Sequence, residues 1–404
     1  MSTHFDDYEF FARRHRLLDV MEARKLDGIL LFQQESMYWL TGYDTFGFCF
    51  FQCLYLGADG RMALLTRSAD LRQAKHTSIL DDVRVWKDGK NANPSQDLVA
   101  MVRDLAGSGK TLGVEFDSYG LSHFNGKRLE DAFKGVATLE DASDCVTRLR
   151  AIKSPAEIVY VREAAKLSDA ADKAALDAIR AGADEGHILA AQHNAIFSAG
   201  GDYPGNEFII GSGRDALLCR YKAGRRTLDQ DDQITIEFAG TFRHYHAAIM
   251  RTVVVGKPRP LHLTYHHAAE QALLACQNTL KPGATAGDVF AAHTRIFDEH
   301  GLSSHRLNAC GYSLGAKFTP SWMDWPMFYE NNDWVIEPGM VMFAHMILMD
   351  SESETAMCLG RTYLVTPEGA EPLNCPDTGL MIRETRSSAT PDKIPFSITL
   401  MWDQ

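Results

Sequence analysis

Glu237 is the residue of this chain best placed for chemistry. In Q-I-T-I-E-F-A-G, Ile234, Ile236 and Phe238 alternate with Thr235 and Glu237, the two-residue period of a half-buried strand. The carboxylate therefore leaves the strand on the face opposite the Ile/Phe row. A turn over residues 240–243 leads into a second strand at 245–255, so His246 stands on the other arm of a hairpin. A lone carboxylate that is partly desolvated has its pKa raised and can take a proton from water. An imidazole beside it can orient that water or donate to a leaving nitrogen. The plain alternatives are an ion pair of Glu237 with Arg220, Arg251 or Arg361, and a strand histidine with satisfied nitrogens.

Two regions must position these groups. In the first, residues 8–24 carry Phe10, Phe11, Leu17, Leu18 and Met21 at helical spacing, and strand-like runs at 28–32, 48–56, 62–66 and 111–115 alternate with helical stretches such as 96–105. Ser154-Pro155-Ala156-Glu157 then joins an N-cap serine, a proline at the first helical position and a capping-box glutamate, and a long Ala-rich helix follows to about residue 180. The boundary is placed there, giving domains 1–153 and 154–404 of a mixed α/β (α+β) chain. In the second domain, helices are expected at 263–279 and 286–300 and strands at 340–348 and 358–365.

With 404 residues the chain can bury a core in each of two domains, and 45% hydrophobic and 23% charged residues mark it as globular. A net charge of −12 argues against a nucleic-acid binder, which needs a basic face. The acidic start M-S-T-H-F-D-D-Y is unlike a secretory signal, and no window reaches the length of a membrane span, so a cytoplasmic location is expected. Eight scattered cysteines form no C-x-x-C pair and read as buried thiols. Ser212-Gly213 lies outside a nucleophile elbow.

The frame Q-I-T-I-E-F-A-G, H-A-A-I-M-R-T, G-Y-S-L-G, E-P-G-M-V and R-T-Y-L-V-T resembles the pita-bread superfamily of creatinases, prolidases and methionine aminopeptidases. The first domain, with D-G-I-L-L-F and M-Y-W-L-T-G-Y-D, is similar to the creatinase/prolidase accessory domain. Metal-dependent members carry Asp, Asp, His, Glu and Glu where this chain has Glu237, Ala248, Tyr312, His345 and Gly360. The resemblance thus implies the scaffold without the ligands of a dinuclear metal centre, and no cofactor is expected. Local wording, W-L-T-G-Y-D, G-G-D-Y-P and G-Y-x-x-G, is closest to ectoine hydrolases. Against the family pattern, Arg220 stands eight residues after Ser212, where a proposed acid/base histidine is usual.

On that frame Glu237, His246 and His345 are the candidate catalytic residues. Arg220 and Arg361 are candidate carboxylate clamps, because a guanidinium offers a bidentate fork. Tyr312, Tyr203 and Trp322 are candidate substrate-binding aromatics, each with core packing as its alternative. His244, in the turn, is expected to face solvent. Family members of this shape are usually homodimers, which implies that Tyr43, Asp44, Phe46 and Phe48 reach a partner's pocket. The leading expectation is metal-independent hydrolysis of a non-peptide C–N bond in a small zwitterion, an ectoine-like cyclic amidine first. The others are a creatinase-like reaction on a guanidino or amide compound, a non-catalytic ligand-binding protein, and an Xaa-Pro dipeptidase.

Overall fold

The computed structural model describes residues 3–220 and 225–383. The first domain is built on a six-stranded sheet in the order Asp82–Trp86, Met62–Arg67, Cys53–Gly57, Gly28–Leu31, Lys110–Val114, Ala137–Asp141. Its centre, Gly28–Leu31, is buried throughout, as its unbroken apolar run requires. Helices Asp7–Ala23, Pro94–Ala106 and His123–Phe133 cover it. The strand expected at 48–56 is shorter: Gly47–Cys49 form a single 3₁₀ turn and only Cys53–Gly57 extends.

Helix Pro155–Ala178 starts with the capping box read from the sequence: Glu157 N–H donates to Ser154 Oγ at 3.2 Å and Ser154 N–H to Glu157 Oε2 at 2.9 Å. The second domain carries a nine-stranded sheet whose main path runs Asp324–Tyr329, Ala309–Ser313, Val341–Asp350, Thr355–Thr366, Tyr245–Val255, Asp232–Phe242, Ile209–Ser212. Asp232–Phe242 and Tyr245–Val255 form one hairpin of eleven paired residues. Its turn is Arg243-His244, both at positive φ (51° and 65°), rather than the earlier glycine stretch expected from the sequence.

Helix Pro155–Ala178 lies so close to Gly240 that an added Cβ would sit 2.1 Å from the Ala164 carbonyl oxygen. Side chains alternate, so the helix covers the face that carries Phe238 and Gly240, and Glu237 looks the other way. Helix Pro260–Thr279 packs with Leu359 and Tyr363 on that same helix-covered side. The opposite, concave face carries Glu237, Ala248, Met250 and His345 and is itself buried. Among the described residues no helix is long and apolar enough to cross a membrane.

Candidate active site

Backbone register assembles the site. Glu237 pairs with Met250, Met250 with Gly360, and Gly360 with His345, so all four share the concave face; Ala248, two residues from Met250, shares it too. Tyr312 joins from the strand Ala309–Ser313, opposite Phe343. Four strand spacings of about 4.8 Å separate its strand from that of Glu237 in a flat sheet, too far for the two side chains to meet. The sheet curls, and Tyr312 Oη donates to Glu237 Oε1 at 3.0 Å. Trp322 Nε1 donates in turn to Tyr312 Oη at 2.9 Å.

Glu237 is 7% exposed. Burial pushes its carboxyl up to about 7, against the opposing pull of the Tyr312 hydrogen bond and the Arg220 charge. His345, its ring 5.5 Å from that of Tyr312, is lowered to about 4 by burial, with Arg220 adding to the effect, and is neutral at pH 7. Its buried Nδ1 has no hydrogen-bond partner among the described residues.

Arg220 is exposed, touches Met323 Sδ, and its charge acts on Glu237, Tyr312 and His345 together. It lines a cleft of about 1140 Å³ that opens between the domains, walled by Gln33, Glu35 and Asp117 of the first domain and by Phe208, Lys317 and Trp325 of the second. The cleft also touches Ile209 and Met327, the strand partners of Glu237 and Tyr312, while Glu237, Tyr312 and His345 themselves lie behind its wall and do not line it.

Several expected residues lie elsewhere. Arg361 pairs with Ala344 and therefore projects onto the helix-covered face, where its Nε donates to the Cys375 carbonyl at 3.0 Å; it is not a clamp in the cleft. Arg251 is on that face as well, 3.3 Å from Asp172. His246 is on the correct face but fully occupied: Nε2 accepts from Gly205 N–H at 2.8 Å and Nδ1 faces the Gly315 carbonyl at 3.2 Å. Burial lowers it to about 3, so it is a neutral structural imidazole. Trp322 is 1% exposed and touches Tyr312 instead of lining the cleft. Tyr203 is 80% exposed and packs on Phe197.

Tyr43 is buried in its own domain, bonded to Gln52 and Thr66, and reaches no pocket. Asp44 pairs at 3.0 Å with His244 of its own chain, and both side chains are half-buried, so His244 does not simply face solvent. Phe46 is 80% exposed, and Phe48 lines the cleft of its own chain. Ser212 is held by the buried Glu185 at 2.6 Å, a structural role. The sequence reading missed the first-domain wall, Gln33–Glu35 and 116–120. Polar runs beside a strand end carry no signal of which domain they will face.

Comparison with known proteins decides the family. Residues 159–367 match the model of metallopeptidase family M24, and residues 13–152 match the creatinase/prolidase N-terminal domain. The chain belongs to the M24 family. An ectoine hydrolase of Halomonas elongata is 26% identical over 392 residues, covering 92% of this chain and 97% of that protein. A hydrolase/peptidase of uncharacterised function from Sinorhizobium fredii, y4tM, is 28% identical over 94% of this chain and 99% of its own length, and a Pyrococcus furiosus Xaa-Pro dipeptidase is 24% identical over 82% and 88%. Among solved structures, the fold matches a Thermococcus sibiricus prolidase with a TM-score of 0.83 at 18% identity, covering 92% of this chain and 99% of that one.

The family name implies a metal, and this chain's residues do not fit a dinuclear centre. Ala248 and Gly360 offer no donor, and Tyr312 Oη is committed to Glu237 and Trp322. A Cβ at Gly360 would lie 2.8 Å from Phe343 Cζ, so a phenyl ring fills the place of a fifth ligand. Among the described residues no group of three or more His, Cys, Asp and Glu is arranged to hold a metal ion.

Proposed function

We propose that this M24 member hydrolyses a non-peptide C–N bond in a small zwitterionic compound without a metal, an ectoine-like cyclic amidine being the first candidate. The observation that carries the reading is the Glu237 carboxyl: buried, held on one oxygen by Tyr312, and pushed up by burial to about 7. Such a group is matched to general-base work at physiological pH. The end-to-end similarity to an ectoine hydrolase supports the choice of substrate class.

In this reading Arg220 takes the substrate carboxylate, and the delocalised cation of the amidine lies against Glu237. Glu237 Oε2 removes a proton from water as the water oxygen bonds to the amidine carbon. The C–N bond of the tetrahedral adduct then breaks, and the proton held by Glu237 passes to the departing nitrogen. Ectoine plus water becomes an acetylated diaminobutyrate, with no other reactant. The neutral His345 supplies a hydrogen bond rather than a charge. We also assign Phe46 to contact with a second copy of the chain.

Chelator-treated protein incubated with ectoine should yield acetyl-diaminobutyrate by mass spectrometry. Absence of that product at any pH between 6 and 9 defeats the ectoine assignment. Turnover of creatine or a guanidino acid in the same panel moves the substrate to the creatinase-like class.

A further inference from the structure

We propose that Trp322 is a positioning residue of this site: it commits the Tyr312 hydroxyl proton to Oε1 of Glu237 and so leaves Oε2 as the oxygen that meets the reactant. The inference rests on the reading of Glu237 as the reacting base.

An indole N–H only donates. Placed 2.9 Å from Tyr312 Oη, it occupies an acceptor site on that oxygen, and the one phenolic proton then points to Glu237 Oε1 at 3.0 Å. Without the indole, the phenol could equally accept a proton from a neutral Glu237, and either carboxyl oxygen could carry it. All three side chains are buried, where such a chain of donors is strengthened by the low dielectric.

Trp322 is itself seated by its neighbours, of which Asn206 also lines the cleft. Its backbone N–H donates to Asn206 Oδ1 at 3.1 Å. Gly205 runs so close beneath it that an added Cβ would meet Trp322 N at 2.7 Å. Gly205 N–H is in turn fixed on His246 Nε2 at 2.8 Å, and that acceptance places the imidazole proton on Nδ1, toward Gly315. His246 thus serves the site through the backbone under Trp322.

The test uses the full-length chain with Trp322→Phe, Tyr312→Phe and the double variant, with ectoine as the probe. Loss of one buried hydrogen bond predicts a kcat about five- to tenfold lower for each single variant with KM unchanged, and a double variant no slower than Tyr312→Phe. Gly205→Ala, which displaces Trp322 while keeping the indole, should reproduce the loss. Losses that multiply, or a rise in KM without a fall in kcat, overturn the proposal, since Trp322 would then act independently or on substrate.

A second readout needs no turnover. The Glu237 carboxyl band, assigned by infrared difference against Glu237→Gln, should shift in Trp322→Phe, and the indole N–H Raman marker should shift to its unbonded position in Tyr312→Phe. If ectoine is not consumed by the unmodified protein, the substrate reading fails while these bands still decide the relay: shifts in both sustain it, and their absence overturns it.

Discussion

The ring of Phe343 occupies the space that any side chain at residue 360 would need, 2.8 Å from the position of a Cβ on Gly360. Restoring carboxylates is therefore not enough to rebuild a metal centre. Ala248→Asp with Gly360→Glu should bind no stoichiometric metal by elemental analysis, and the overpacking should cost about 1–3 kcal/mol in chemical denaturation. Adding Phe343→Ala should recover part of that stability by making room.

Glu237→Gln should lower kcat by at least about a hundredfold while the circular dichroism spectrum is kept. In the unmodified protein the rate should rise with pH through about 7, because the base works deprotonated. Stability moves in the opposite sense. A carboxyl whose pKa is raised from 4.5 to about 7 on folding keeps its proton longer in the folded state, so stability falls as pH rises through that interval, by up to ~3 kcal/mol. Glu115, also raised to about 7 by burial, titrates in the same window. The informative quantity is thus the difference in melting temperature between Glu237→Gln and the unmodified chain, which should be larger at pH 8 than at pH 5.

Arg220 and Arg361 should separate cleanly. Arg220→Ala should raise KM for a carboxylate-bearing substrate about tenfold or more, consistent with a lost charge-assisted bond, at near-constant stability. Arg361→Ala should leave KM unchanged and lower the melting temperature, because it strips a donor from the Cys375 carbonyl on the helix-covered face. Steady-state kinetics and calorimetry on the two variants check both halves.

Asp324 is a buried partner of Arg150 at 2.5 Å on the border of the cleft. Burial raises its carboxyl, but Arg150, Lys317 and Lys153 together outweigh that and hold it below the usual range. The contribution is present above the ordinary carboxylate range and is lost as pH falls through the depressed value. Asp324→Asn leaves Arg150 buried without its counter-charge and should cost about 3–5 kcal/mol by urea denaturation at pH 7.

Much of the fold was legible because its signals are local. The Ile/Phe alternation around Glu237 and the Ser154–Glu157 capping box both appear where the sequence put them. Arg361 was expected as a carboxylate clamp and was misplaced: it adjoins Gly360, alternation sends neighbours to opposite sides, and spacing along the strand rather than proximity to a ligand position puts it on the helix-covered face. The Tyr312–Glu237 bond was not legible, because it spans residues 75 apart and exists only through the curl of the sheet. Nor was the burial of Tyr43, or the bond from the Trp322 indole to Tyr312, since both find partners set by packing rather than by any repeat; core packing of Trp322 itself was an expected alternative.

The hairpin that carries Glu237 turns on Arg243 and His244, two residues held in the left-handed region that Asn and Gly enter at lower cost. The first domain grips that turn: Asp44 pairs with His244 at 3.0 Å and Tyr38 Oη donates to the Arg243 carbonyl at 3.0 Å. The accessory domain is therefore a splint on the strand pair bearing the reactive carboxylate. Cutting the chain before Pro155 would release the turn first, and swapping Asn-Gly into it would transfer that bracing from the neighbouring domain to the hairpin itself.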